Sequence, residues 1–384
     1  MIQNSLFTTA HLSDIPYILP YGQNIADHLG GISTNEAGLL IWDALCSGKN
    51  REEILALLTE AYEADDRDAA LLKDDLDAFL KSLKDKQLTD SRLCVPFAPH
   101  QEHFIKIGPL TVSLRIPEKL YRDYFADFSR DDCENLKEPA QTIVCYHHAP
   151  LRHENGQVLV RNEEMLILDT KETYILLPRN SKYVYEIHTS KDGRTARLYF
   201  KYDAAKADCL GEVFQAIRFA FLVAAGQNGL CVIHSASLLH RGKAWLFSGH
   251  SGAGKSTHTN LWHQQFGTPL LNGDLNMIGL EDGAPICYGL PWCGTSGIFT
   301  NHNYPLGGIV FLKQAPENSV QKLSPDREIL YLCQRLITPG WTEEQLTRNL
   351  ALSASLAEKI GIYRLCCTKE PAAAIMMREA IEQE

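Results

Sequence analysis

The residues best suited to chemistry in this chain lie in one short run, Gly249-His250-Ser251-Gly252-Ala253-Gly254-Lys255-Ser256. Glycines at these spacings let a backbone fold closely around an anion with its N–H groups turned inward. The lysine reaches β- and γ-phosphate oxygens, and the serine hydroxyl after it suits a magnesium ion. This is a complete Walker A loop, so the expected chemistry is binding of ATP or GTP, with Thr257 continuing the phosphate-facing run. The flanking residues supply the required context. Residues 244–247, Ala-Trp-Leu-Phe, read as a strand feeding the loop, and Cys231-Val232-Ile233 reads as a second strand. The residues after Lys255 continue as a helix toward Trp262, whose positive end would meet the phosphates.

A loop that holds phosphates needs a partner that acts on the acceptor, and Asp274 is the best placed carboxylate. It follows Pro269-Leu270-Leu271, which reads as a neighbouring strand, and in such sheets ligands gather beyond the carboxyl ends of strands. There it could hold magnesium, directly or through water, or accept the proton of an attacking hydroxyl, and the sequence leaves both roles open. Lys313, Arg327 and Arg335 offer further positive charge, although none has a diagnostic spacing. Arg327 and Arg335 fall in a predicted helix over 326–336, where a solvated face is the default reading.

These residues must be positioned by a chain of 384 residues, long enough for two or three cores. Its formal charge of -10 argues against a general nucleic-acid binder. The eleven cysteines form no CxxC pair, so neither a disulfide framework nor a zinc ribbon is indicated, and they read as reduced thiols. The N-terminal residues lack the charge and apolar pattern of a signal sequence, and the apolar stretch 219–225 is too short to span a bilayer. A cytoplasmic location is expected.

Residues 1–93 read as a small helical domain. Ser33-Thr34-Asn35-Glu36 has the spacing of a capping box, and Leu39, Leu40, Trp42 and Leu45 follow as an apolar stripe. A second helix starts near Asn50, a third carries Leu72, Leu76, Phe79, Leu80 and Leu83, and residues 17–25 read as a short hairpin around a glycine turn. Three helices and a hairpin imply a winged-helix arrangement. Residues 100–208 alternate with period two, as in Leu110, Val112, Leu114 and Ile116, and form a strand-rich middle module with an Asp192-Gly193 turn. His147, His148 and His153 lie close together there without ordered ligand spacing, and no metal site is assigned. A helical stripe at Leu210, Val213, Phe214, Ile217 and Phe221 opens the last module, 209–384, which ends in a helix after Glu370.

The last module resembles the HPr kinase family, bacterial serine kinases that share a P-loop fold with phosphoenolpyruvate carboxykinase. The resemblance runs through His234-Ser235-Ala236, the loop 248–257 and Leu270-Leu271-Asn272-Gly273-Asp274. It implies an α/β P-loop domain, ATP and Mg2+ as cofactors, and His234 near the transferred phosphate, orienting the acidic base or a phosphate. Alone, His234 reads as a satisfied core histidine. Asp274, His234 and Lys255 are thus the expected catalytic residues, with Ser256 and Asp274 as metal ligands. Two departures bear on the substrate. Where the family has adjacent aspartates this chain has Gly273-Asp274, and the family's signature segment is replaced by residues 288–297, Tyr-Gly-Leu-Pro-Trp-Cys-Gly-Thr-Ser-Gly. That segment is similar to one in kinase-like proteins of peptide-modification clusters, so HPr is a poor substrate candidate. Its alternative reading is a packed turn with Trp292 in the core.

The first domain resembles the PqqD-like family, which recognises leader peptides of ribosomally made, modified peptides. The matching stretch is Asn35-Glu36-Ala37-Gly38-Leu39-Leu40-Ile41-Trp42, with Thr34 where the family usually has leucine. Together the resemblances imply a kinase acting on a Ser or Thr hydroxyl of a precursor peptide. Alternatives are a kinase for free serine or another small molecule, and a nucleotide-gated peptide-binding accessory protein without phosphotransfer. A DNA-binding regulator is disfavoured by the acidic residues 52–90. A leader peptide is the expected partner, membrane and nucleic acid are not, and homo-oligomers, known in the HPr kinase family, are left open.

Overall fold

The chain is seen in a computed structural model, which describes residues 7–12, 14–20, 30–47, 49, 51–85, 101–130, 138–147, 156–201 and 207–383. Its internal contacts define two units, one comprising Met1–Ala98 with His147–Asn155, the other Pro99–Tyr146 with Gly156–Glu384.

In the first unit, strands β1 (Phe7–Leu12), β2 (Ile15–Pro20) and β3 (Ile32–Ser33) form an antiparallel sheet in that order, followed by helices α1 (Glu36–Cys46), α2 (Arg51–Ala61) and α3 (Asp66–Asp85). The apolar stripes read from the sequence meet in one core around Ile18, Trp42, Ile54, Leu58, Leu76 and Leu83. Two local expectations are corrected. The cap of α1 is Asn35, whose side chain accepts from the Gly38 N–H at 2.8 Å. Ser33 cannot cap because it is paired with Tyr17 as part of β3. The hairpin joins β1 to β2 and turns at Asp14, which adopts φ 63°. Residues 21–25 of the expected hairpin lie outside the described residues.

The second unit begins with strands β4 (Glu102–Ile107), β5 (Leu110–Arg115), β6 (Gln141–Tyr146), β7 (Gln157–Arg161), β8 (Met165–Asp169), β9 (Thr173–Pro178), β10 (Val184–Ser190) and β11 (Thr195–Phe200), with α4 (Glu118–Tyr124) between β5 and β6. They build an eight-stranded sheet in the order β4-β5-β6-β11-β10-β9-β8-β7. Its apolar face is covered by α5 (Ala207–Gln227), whose Val213, Ile217, Ala220 and Val223 join Val112, Ile143 and Leu198 in one core. Residues 100–208 therefore share a core with the helix that opens the last module. By length and composition α5 could cross a bilayer, but 67% of its apolar window is buried within the protein.

The remaining elements are β12 (Cys231–His240), β13 (Lys243–Ser248), α6 (Lys255–Phe266), β14 (Leu270–Asn272), β15 (Leu275–Glu281), β16 (Ala284–Tyr288), β17 (Tyr304–Gln314), β18 (Ser319–Lys322), α7 (Pro325–Cys333), α8 (Glu343–Ala357), β19 (Gly361–Cys367) and α9 (Pro371–Glu382). Strand β13 is central: Ala244 and Leu246 pack toward α7 and α8, while Trp245 and Phe247 pack toward α6 and α9. A strand buried on both faces reads as a continuous apolar run, which is why residues 244–247 were legible as one. The long strand β12 changes partners midway. Cys231–His234 pair with β15, whereas Ser235–His240 pair with β13 and β14.

Candidate active site

The partner change in β12 places two side chains of the expected site together. Strand β14 ends at Asn272 and β15 begins at Leu275, so Asp274 sits in the short link between them. Its carbonyl accepts the Ser235 N–H at 2.9 Å, fixing the link against the switch point of β12. The Asn272 side chain completes the turn, its Oδ1 accepting from the N–H groups of Asp274 (2.9 Å) and Leu275 (3.1 Å). The Asn272 amide donates to the carbonyls of Leu290 and Trp292, both at 3.2 Å. One buried side chain thus ties the acidic link to the 288–297 segment, and a buried amide so fully used is costly to remove.

His234 is the last residue of β12 before the switch. Its N–H donates to the Arg335 carbonyl at 3.1 Å, and its carbonyl accepts the Ser248 hydroxyl at 2.8 Å. Its ring then reaches Asp274, with Nε2 3.0 Å from Oδ1. Because an ionised carboxylate only accepts, Nε2 carries the proton of this bond. That bond is the main reason the Asp274 carboxyl is held below the ordinary carboxylate value. Burial opposes the shift, and the charges of His234, Arg218 and Lys255 add to it.

The glycine-rich loop leaves β13 at Ser248 and enters α6 at Lys255. Gly252 and Gly254 adopt φ 77° and 101°, a region open to glycine and costly for other residues. The Gln314 amide at the end of β17 donates to the Gly252 carbonyl at 2.8 Å and steadies the loop. No side chain caps α6, so its first N–H groups remain available to an anion. His250, Ser251, Ser256 and Thr257 are exposed, and Ala253 is buried against the sheet. Burial draws the Lys255 ammonium below its usual value; Asp274 works the other way and Arg335 adds to the lowering. Arg335, for which a solvated face is the default reading, is half-buried, and its carbonyl holds the His234 N–H.

A cleft of about 340 Å³ runs beside these groups, lined by Ser256, Thr259, Asn260, Asn272, Gly273 and Ser296 among others. Gly273, where the resemblance would place a first aspartate, has no room for a side chain: Ser296 Oγ occupies the position a Cβ would take. Gly294 lies against Asp274, a Cβ there meeting its Cγ at 3.0 Å. Trp292 is in the core. Its indole donates to the Phe214 carbonyl at 3.0 Å and packs between Phe214 and Phe221. Truncation to alanine there costs about 3–5 kcal/mol.

Arg218, on α5, and Asn272 escaped the sequence reading. Arg218 carried one usable signal, a single charge inside the run Ala216-Ile217-Arg218-Phe219-Ala220-Phe221. His148 and His153 lie outside the described residues. The described cysteines are free thiols, and burial pushes Cys231 and Cys287 up to about 12, which leaves them inert.

Residues 25–88 match the family model of coenzyme PQQ synthesis protein D (PqqD). The amino-terminal unit carries a PqqD domain. Among solved structures, the chain is similar to TbiB1 in complex with the TbiA(beta) leader peptide, at 25% identity over 24% of this chain and 96% of that one, with a TM-score of 0.20. It is also similar to the HPr(Ser) kinase/phosphatase from Coxiella burnetii, at 12% identity over 40% of this chain and 97% of that one, with a TM-score of 0.24. At such TM-scores neither likeness carries a functional argument. Comparison with curated proteins finds no match. The PqqD domain is followed by a mixed α/β unit.

Proposed function

We propose that the chain is a nucleoside-triphosphate-dependent kinase that phosphorylates a serine or threonine hydroxyl on a precursor peptide, with the peptide recruited by a winged-helix, PqqD-like domain. The observation that carries this reading is the His234–Asp274 pair, 3.0 Å apart, at the switch point of β12 beside the loop that ends at Lys255.

The residues present fit a nucleotide. A Cβ added to Gly252 or Gly254 would meet nothing within 4 Å, so the loop bounds open space, and the N-terminus of α6 faces it uncapped. Gly249 to Thr257 cradle the phosphates through their N–H groups while Lys255 binds the β- and γ-oxygens. Among the described residues no group of three or more His, Cys, Asp or Glu forms a metal cage. A magnesium ion held by Ser256 and Asp274 would then complete its shell with phosphate oxygens and water, as this ion commonly does, and would neutralise charge on the transferring group.

Asp274 is kept ionised by His234, Arg218 and Lys255, so it accepts a hydrogen bond from the acceptor hydroxyl and orients its oxygen. As the acceptor oxygen bonds to the γ-phosphorus, the bond to the bridging oxygen breaks and the diphosphate departs with the electron pair. The hydroxyl proton passes to Asp274. A weakly basic carboxylate suffices because charge in such loose transition states collects on the phosphoryl oxygens and leaving group, and deprotonation comes late.

The PqqD match supports a peptide acceptor, since tethering a leader raises the local concentration of the residue to be modified. An added strand would not lie against the middle of β2, whose Tyr17 and Ile18 are already paired on both sides; the outer edges are those of β1 and β3. The decisive experiment incubates the protein with ATP, magnesium and candidate precursor peptides and looks by mass spectrometry for a gain of one phosphoryl group. Turnover of free serine without any peptide product would replace this reading with a small-molecule kinase. Nucleotide binding without transfer to any acceptor would replace it with an accessory protein.

A further inference from the structure

Helix α5 is a core element, and most of its buried side chains are apolar. Arg218 is a half-buried cation among them. Its Nε is buried and has no hydrogen-bond partner among the described residues, while the guanidinium carbon lies 5.1 Å from the centroid of the Phe219 ring. A guanidinium donor buried without a partner needs a physical account, because desolvating it is unfavourable.

Its position supplies one. Phe214, Arg218 and Phe221 follow one another at spacings of four and three, so they share one face of α5. On that face the two phenylalanines hold the Trp292 ring, and the Phe214 carbonyl accepts its indole N–H. Arg218 is therefore set beneath the start of the 292–297 segment, the segment whose Gly294 abuts Asp274 and whose Trp292 carbonyl is held by Asn272. Packing of Trp292 against α5 and the Asn272 tie converge on the same few residues. The charges of Arg218 and Asp274 act on each other accordingly: the aspartate favours the charged guanidinium against its burial, and Arg218 helps to hold Asp274 ionised.

We propose that Arg218 binds the transferring phosphoryl group, as a cation supplied by α5 opposite Lys255. This inference rests on the kinase reading. A planar guanidinium whose stem is packed and whose donors are incompletely used matches the equatorial oxygens of a phosphoryl group in flight, where charge develops that the ground state does not carry. Lys255, at the end of the glycine-rich loop, would hold the β- and γ-oxygens in the ground state, whereas Arg218, approaching from the acceptor side with Asp274, would strengthen its contacts as the phosphoryl group moves toward the acceptor.

The test compares binding of ADP with binding of ADP plus aluminium fluoride, a mimic of the planar phosphoryl group, by calorimetry on the full chain with magnesium present. Wild type is expected to bind the fluoride complex about 100-fold more tightly than ADP alone. Arg218→Gln should keep its ADP affinity within about threefold, lose at least tenfold of the fluoride preference, and lower kcat by about 100-fold with little change in KM for ATP. Arg218→Met, which keeps the packed stem and removes only the charged head, should behave alike and provides the measurement if the glutamine variant does not fold. Retention of the full fluoride preference and kcat by either folded variant would overturn the assignment and leave Arg218 as a structural residue. Wild type that binds ADP with no gain from fluoride would overturn it too, with nucleotide binding still standing. Failure of wild type to bind ADP at all would remove the kinase reading and this inference together.

Discussion

The two units hold their polar side chains in opposite ways. In the first, the visible ties are solvent-exposed, such as the Arg51–Asp77 pair at 2.6 Å between α2 and α3, and the His11–Glu36 pair at 3.2 Å. In the second, the His234–Asp274 pair is partly open to solvent, but the Asn272 and Asn276 side chains that support it are buried and their hydrogen bonds shared. Asn276, on β15 just after the Asn272 turn, donates to the Ser235 carbonyl and hydroxyl at 2.7 and 2.9 Å and accepts from Ser237 at 2.6 Å. A surface that recognises an extended peptide by backbone pairing needs an edge more than a fixed side chain. A site that aims a carboxylate needs its supports locked within a fraction of an ångström.

That contrast can be broken most directly at Asp274. Asp274→Asn should lower kcat by about 10³-fold or more while ADP affinity, measured by calorimetry without magnesium, stays within a few-fold of wild type. Loss of nucleotide binding in equal measure would place Asp274 in the binding of phosphate instead. The pH profile sharpens the same point. Since its folded-state carboxyl is held low, Asp274 is fully ionised near neutrality, and its share of stability is lost only as the pH falls from the ordinary carboxylate value through the lower native one. An acid limb of kcat/KM near pH 6 must therefore come from another group.

Next in size is the contribution of the first unit. A precursor peptide without its leader should show a KM raised by about 100-fold at an unchanged kcat, because only the local concentration of the acceptor is lost. A fall in kcat with unchanged KM would mean that leader binding alters the site instead of delivering the acceptor.

Burial in the second unit also has a pH signature. His258, on α6, is stacked on Phe247 with neither ring nitrogen hydrogen-bonded among the described residues, and burial lowers it to about 4. Its neutral form is the native one, so stability is intact above the unfolded-state value near 6.5 and falls as the pH drops toward 4, by about 3 kcal/mol in all. Replacing His258 with Phe should flatten that part of the stability curve, as followed by chemical denaturation. An unchanged slope would show that other groups set it.

The smallest effects come from paired truncations. Asn272→Ala should cost about 1–3 kcal/mol, since it strands two backbone N–H groups and two carbonyls, whereas Arg51→Ala should cost under about 1 kcal/mol and less in high salt. Equal costs in urea titrations would erase the distinction between the units.

The glycine-rich loop was legible because its pattern is contiguous: the residues that bend the backbone and those that start the helix are neighbours in the chain. The strands on either side were legible from their apolar runs, and the helical stripes of the first unit from their period. The cap of α1 was misplaced because Ser33 and Glu36 have the right spacing while pairing with Tyr17 draws Ser33 into a sheet, a competition that spacing does not register. The boundary drawn near residue 208 likewise fell inside a shared core, since period-two and period-3.6 patterns mark elements and not the cores they join.

Sequence alone determined that this chain has a glycine-rich loop of Walker A pattern at 249–256 between a strand and a helix, with a histidine and a carboxylate in the segments on either side, and an amino-terminal segment of PqqD type. Tertiary structure decided that His234 meets Asp274 at 3.0 Å, that Asn272 aims the acidic link, that Ser296 fills the space beside Gly273, and that α5 holds Trp292 through Phe214 and Phe221. The reason is physical. Loop conformation and helix start are fixed by neighbouring residues, whereas the partner change in β12 and the docking of Trp292 on α5 depend on contacts between residues far apart in the chain, set by the packing of whole elements.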